Sequence, residues 1–182
     1  LWYWDANSAA WNASVRVNDT SGAESTSAST VFTYGLTAGF IMAPPGIGFG
    51  SIASTTLNQT ATELLRINNT ANKNISVGNV NITAVNLQGL TTISQYILAN
   101  TFRAAGPGQA LGTEECDTTG ATALENGTSI AVTSAGLPRG NITKGGYFGT
   151  TNLTFCMLNV TSGATPQVYS TQNVQRWTVG IV

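Results

Sequence analysis

Residues 11–18, WNASVRVN, alternate without a break. Trp11, Ala13, Val15 and Val17 share one face, and Asn12, Ser14, Arg16 and Asn18 share the other. A period of two sends successive side chains to opposite faces of a strand, so the stretch predicts a half-buried β-strand with a polar outer face. The same signal recurs along the chain. It predicts strands over 31–40, 46–53, 61–67, 74–77, 79–87, 129–134, 152–160 and 167–182. Ala43-Pro44-Pro45-Gly46 and Asn68-Asn69 punctuate them as turns. Apolar parity slips from Ile75/Val77 to Val80/Ile82 around Gly78, which predicts a bulge or bend there. Only residues 92–103 break the pattern, because Ile93, Tyr96 and Ile97 have helical spacing and predict one short helix. The fold class expected is all-β. It is a single β-sandwich or jelly roll, Ig-like or pilin-like, over residues 11–182, preceded by an arm over residues 1–10.

Two sequence features share the polar face of that first strand. Asn12 and Asn18 each begin an Asn-x-Ser/Thr triplet, the acceptor of N-glycosylation. The other triplets fall at Asn58, Asn68, Asn74, Asn81, Asn126, Asn141, Asn152 and Asn159, ten in all, and none has Pro in the middle. With 17 Asn and 42 Ser plus Thr in 182 residues, random placement gives roughly 4. The excess predicts covalent N-glycans on an extracellular surface protein. An Asn/Thr-rich β-protein that makes triplets by accident is the blander alternative.

Charged residues make up only 8 % of the chain, with two Lys, five Arg, eight carboxylates and no His. A naked surface so poor in charge is sticky at neutral pH. Glycans would restore hydration, and an acidic habitat would neutralise carboxylates in any case. The lack of a basic patch speaks against nucleic acid as a partner. No 18-residue apolar run is present, so no membrane span is expected in the chain as it stands, and a type-IV pilin is disfavoured. The start at Leu1 reads as a mature product whose leader has been removed. Cys116 and Cys156 allow one pairing, expected in an oxidising exterior, with two free thiols as the alternative.

Leu1-Trp2-Tyr3-Trp4 opens the chain with four large apolar side chains. Each stabilises by about 1.5–3 kcal/mol when buried, so they must pack somewhere. Either they fold back as a strand of their own domain, or they form a donor strand that fills a groove in the next subunit. In the second case Asp5-Ala6-Asn7-Ser8-Ala9-Ala10 serves as linker. The contact is head-to-tail and does not close, so it builds a filament of identical subunits. WYWDANSAAWNASVRVND (2–19) and ATELLRINNTANKNISV (61–77) resemble TasA/camelysin-type biofilm-matrix proteins. Low charge, many sequons and a cysteine pair depart from the bacterial members. In those respects the chain resembles archaeal donor-strand-complemented surface pilins of the thread and bundling-pilus types. That resemblance implies a structural filament role in adhesion or biofilm, on the surface of an acidophilic or thermophilic archaeon.

Chemistry has little to work with. Without His there is no Ser-His-Asp or Cys-His arrangement, and zinc is disfavoured. Gly46-Ile47-Gly48-Phe49-Gly50 lacks phosphate-loop spacing. Glu114-Glu115-Cys116-Asp117 is the one acidic cluster, a conceivable Ca²⁺ or two-carboxylate site, but it reads more simply as a solvated loop beside a disulfide. No catalytic, cofactor-binding or metal residue is assigned. The competing functional readings are a surface-layer or carbohydrate-binding domain with exposed Trp or Tyr platforms, and, behind it, a small acid-stable secreted hydrolase.

Overall fold

A computed structural model describes residues 10–53, 56–109, 111, 116–139, 149–160 and 163–182. The architecture is all-β, with several antiparallel sheets. β1 (Ala10–Val15) and β2 (Ala28–Thr33) form a two-stranded hairpin. The largest sheet is centred on β12 (Thr150–Asn159), which carries β9 (Phe102–Ala105) on one side, with β10 (Thr122–Ala123) beyond it. On its other side β12 pairs with β5 (Leu65–Asn69) through residues 150–153 and with β4 (Leu57–Thr60) through 156–159. β3 (Phe40–Ala43) lies outside β5. A second sheet runs β11 (Ser129–Ala131), β6 (Val80–Thr83), β14 (Thr178–Ile181). A small third one runs β13 (Tyr169–Ser170), β7 (Leu87–Gly89), β8 (Tyr96–Ile97).

The period of two that forms β12 also decides what it buries. Thr151, Leu153, Phe155 and Met157 all point inward and are buried, while Asn152 on the other face is exposed. Leu65 and Ile67 of β5 meet Val80 and Ile82 of β6 in the same apolar cluster, so the two larger sheets share one core. Phe102 sits at its centre, its ring centroid 5.3 Å from Phe49 and 5.2 Å from Trp177, the latter edge-on. Such pairs add about 0.5–1.5 kcal/mol beyond burial. Trp177 satisfies its indole N–H on the Val85 carbonyl at 2.7 Å.

Several expectations need correcting. Residues 92–103 are not a helix. Tyr96 and Ile97 pair with β7, a three-residue 3-10 turn spans Ala99–Thr101, and β9 begins at Phe102. Ile93, one of the three residues that suggested a helical stripe, is exposed. Pairing with β7 outweighed weak helical spacing over so short a window. Residues 46–53 form no strand, although Ile47, Phe49 and Ile52 do pack on the core. Residues 34–39 likewise leave β2 and β3 unconnected by any ladder. The bend at Gly78 is present: its φ is +87°, and Asn79 N–H donates to Ser76. Only glycine takes that conformation readily, and the turn lets Ile75 and Val80 both face inward while Val77 faces out.

The largest departure concerns the opening strand. β1 forms as expected, but its apolar face is not in the core. Every residue from Asn12 to Thr33 is exposed, Val15 and Val17 each at 62 %. Opposed pairs Ala13↔Thr30 and Val15↔Ala28 extend that face onto β2.

Candidate functional site

The site begins with two sheet edges. Among the described residues β3 pairs only with β5, and β14 only with β6. Met42 is opposite Ile67 and so faces inward, yet it is 47 % exposed while Ile67 is fully buried. Across the gap Val179 and Ile181 of β14 are opposite Ile82 and Val80. Both are only half-buried, although Ile82 and Val80 are sealed. Inward-facing apolar residues on both edges are therefore left partly wet.

Between the edges lies an open groove of about 540 Å³. Its floor is the core itself, with Leu65, Ile82 and Phe155 lining it. Trp177 and Val179 form one wall, and Met42 with Pro44 and Pro45 forms the other. The prolines follow β3 and carry no N–H, which stops its ladder there. An extended apolar segment laid in this groove would meet both unpaired backbone edges and buried side chains at once.

The residues singled out in the sequence scatter around this groove. Cys116 and Cys156 are joined in a buried disulfide with Cα atoms 5.5 Å apart, and they pack with Ala105 and Leu111 on the outer side of β12. Closing a loop of this length stabilises by about 4 kcal/mol in the chain-entropy account. Asn12, Asn18, Asn74, Asn126, Asn152 and Asn159 are exposed, whereas Asn58, Asn68 and Asn81 are half-buried. Leu1, Trp2, Tyr3, Trp4, Glu114, Glu115 and Asn141 lie outside the described residues. Of the acidic cluster, Cys116 is therefore committed to the disulfide, and Asp117 accepts a 2.8 Å hydrogen bond from Arg103 Nε. Among the described residues no three His, Cys, Asp or Glu side chains come together to hold a metal, and no helix is long and apolar enough to cross a membrane.

Two side chains that sequence reading passed over tie the loops beside β5. Asn69 and Asn72 are both 1 % exposed. Asn72 Oδ1 accepts from Thr37 N–H at 2.7 Å, and its Nδ2 donates to the Gly35 carbonyl at 3.0 Å. This anchors the chain where it leaves the exposed hairpin. Asn69 Oδ1 accepts from Ala71 N–H at 2.8 Å, the Asx turn that the Asn-Asn pair signalled one step too early. Its Nδ2 reaches the carbonyls of Lys73 and Pro138. Next to it, Gly149 lies so close to the Pro138 backbone that a Cβ would collide.

Two carboxylates are held below the usual range. The Arg103 guanidinium lowers Asp117, by its hydrogen bond first and its charge second. The Ser21 hydroxyl, followed by the Ala23 N–H, lowers Asp19. A depressed folded-state value gives stability that is present above the unfolded value, about 3.9, and lost as pH falls through the folded one. Both groups are fully exposed, so solvent screens the effect. The urea midpoint is expected to fall only slightly between pH 7 and pH 3. A steep fall over that window would reveal a buried carboxylate, of which there is none among the described residues. Compared with known protein families, curated proteins and solved structures, the chain matches none.

Proposed function

We propose that this chain is the structural subunit of an extracellular, N-glycosylated filament, polymerised head to tail by donor-strand complementation and serving adhesion or biofilm. Its two larger sheets act as a pilin-like β-sandwich that lacks one strand. The observation that carries this reading is the groove, whose floor is core and whose rims are unpaired strand edges. Leu1, Trp2, Tyr3 and Trp4 of an identical subunit have the apolar bulk such a groove takes. The nine residues before β1, fully extended, reach about 30 Å, enough to run the length of a short strand and leave a linker. The exposed apolar face of the hairpin supports self-association independently. An isolated two-stranded hairpin is marginal in water, and Val15 and Val17 gain only if something covers them. Glycans would hydrate a surface so poor in charge, and the disulfide fastens the body that would bear the load.

Charges in the groove test this. Met42→Glu and Val179→Glu change side chains that are partly wet in the single subunit, so folding should survive. In a filament the same carboxylates would be desolvated by the incoming strand, at a cost of several kcal/mol. The double variant is expected to keep its circular dichroism spectrum and form no filaments in electron micrographs. Normal filaments from that variant would remove the groove from the assembly.

A further inference from the structure

We propose that N-linked glycans are carried by Asn12, Asn18, Asn74, Asn126, Asn152 and Asn159, and not by Asn58, Asn68 or Asn81. This rests on the export and glycosylation reading given above, and it sorts the sequons by what each amide does in the folded chain. Transfer forms a bond between the anomeric carbon of a lipid-phosphate-linked sugar and Asn Nδ2. The sugar–phosphate bond breaks, and one Nδ2 proton departs with the released lipid phosphate. The product keeps its Oδ1 acceptor and one N–H. A sequon in the finished fold therefore needs an Nδ2 with an open path outward, while its Oδ1 is free to remain engaged.

Asn74 and Asn126 meet that condition closely. Asn74 Oδ1 accepts the Arg139 N–H at 2.8 Å, and Asn126 Oδ1 accepts the Asn86 N–H at 2.9 Å. These bonds fix each amide with Oδ1 turned to the protein. Both residues are exposed, and among the described residues neither Nδ2 donates a hydrogen bond, so a sugar can be attached without breaking the contact. Asn12 and Asn18 lie on the hairpin face opposite Val15 and Val17. Asn152 faces outward on β12 opposite the exposed Arg66, and Asn159 ends the same strand opposite the exposed Leu57.

The three others are blocked for separate reasons. Asn68 is half-buried, with Ile41 of β3 on one side of it in the sheet and Thr150 of β12 on the other, which narrows the way outward from its Nδ2. Asn81 lies on the middle strand β6 between Ala131 and Gly180. It is half-buried, and its Nδ2, unlike that of Asn74 or Asn126, is engaged, donating to Ser129 Oγ at 3.4 Å. Asn58 is half-buried at φ +54° beside the disulfide, and it is this burial, not the Cys116 N–H bond to its Oδ1, that narrows the way outward from its Nδ2.

The test is glycopeptide mapping of the full chain purified from the cells that make it. Sugar is expected at the six exposed positions and bare Asn at the three others. Asn126→Gln and Asn152→Gln should each lower the intact mass by one glycan, and Asn68→Gln and Asn81→Gln should leave the carbohydrate mass unchanged. Sugar on Asn68 or Asn81 overturns the sorting while leaving a glycoprotein. Bare Asn at all nine positions overturns the sorting, and bare Asn at Asn141 as well overturns the glycoprotein reading with it. Neither result bears on assembly, which the groove charges test separately.

Discussion

Chains starting at residue 11, with residues 1–10 removed, are expected to stay folded and to form no filaments. The reasoning starts from what those residues contribute. A strand sends alternate side chains into the groove, so either Leu1 and Tyr3 or Trp2 and Trp4 are buried in the neighbour, which stabilises the contact by about 3–6 kcal/mol at 1.5–3 kcal/mol each. At 1.4 kcal/mol per factor of ten, their loss weakens association by at least about two orders of magnitude. What remains in the truncated chain is the core, the disulfide and the Asn72 anchor, all of which lie outside the deleted segment. The truncated subunit should also accept its missing piece. A synthetic peptide of residues 1–10 at 100 times its dissociation constant stabilises the acceptor by about 2.7 kcal/mol, visible as a raised Tm. Size exclusion and electron microscopy decide the matter. Filaments of ordinary length without the arm would falsify the donor-strand reading. A full-length chain that stays monomeric at every concentration would do the same, since the arm would then be filling its own subunit's groove.

The strands that carry the core were legible because each has both a clean period of two and a turn beside it. Leu153 and Phe155 alternate with Asn152 and Thr154 in the sequence and are buried in the structure. Gly78 was legible for the same local reason: a slip in apolar parity needs a residue that accepts positive φ. The groove was not legible. Periodicity tells which side of a strand is apolar, but not whether another element covers it. Met42 and Ile67 have the same character in the sequence and very different exposure in the fold. The β1 strand makes the same point in reverse. Its alternation was read correctly, but its apolar side faces no core of its own. The 92–103 segment failed because three apolar residues over five positions cannot distinguish a helix turn from a short strand followed by a tight bend. Asn69 was legible as a turn residue, through its bonds to Ala71 and Lys73, but its reach to residues 137 and 138 and that of Asn72 to residues 35 and 37 were not, because those backbone partners are far away in sequence.

Asn69→Asp is expected to be among the most damaging single changes in the subunit at neutral pH, and much milder in acid. Asn69 is buried, and its Nδ2 faces the carbonyls of Lys73 and Pro138 at 2.8 and 3.1 Å. Aspartate keeps an oxygen for the Ala71 N–H but turns the other, charged, toward those carbonyls. An uncompensated buried charge costs about 3–5 kcal/mol, a large part of the 5–15 kcal/mol that holds a typical domain together. The carboxyl escapes by holding its proton, which burial and the carbonyls both favour, so its folded value rises above the unfolded one. The folded chain then binds more protons than the unfolded chain between the two values, and stability falls as pH rises through that window. Below about pH 3.9 the acid is neutral in both states, and its O–H can replace one of the lost N–H donors. Asn69→Ala supplies the contrast. It leaves the same backbone groups unpartnered without a charge, at about 1–3 kcal/mol and with no pH dependence of its own. Urea denaturation of both variants at pH 3, 5 and 7 separates the two. If the Asp and Ala variants lose the same stability at every pH, water reaches this site and Asn69 does not fasten a dry junction between β5 and the 137–138 segment.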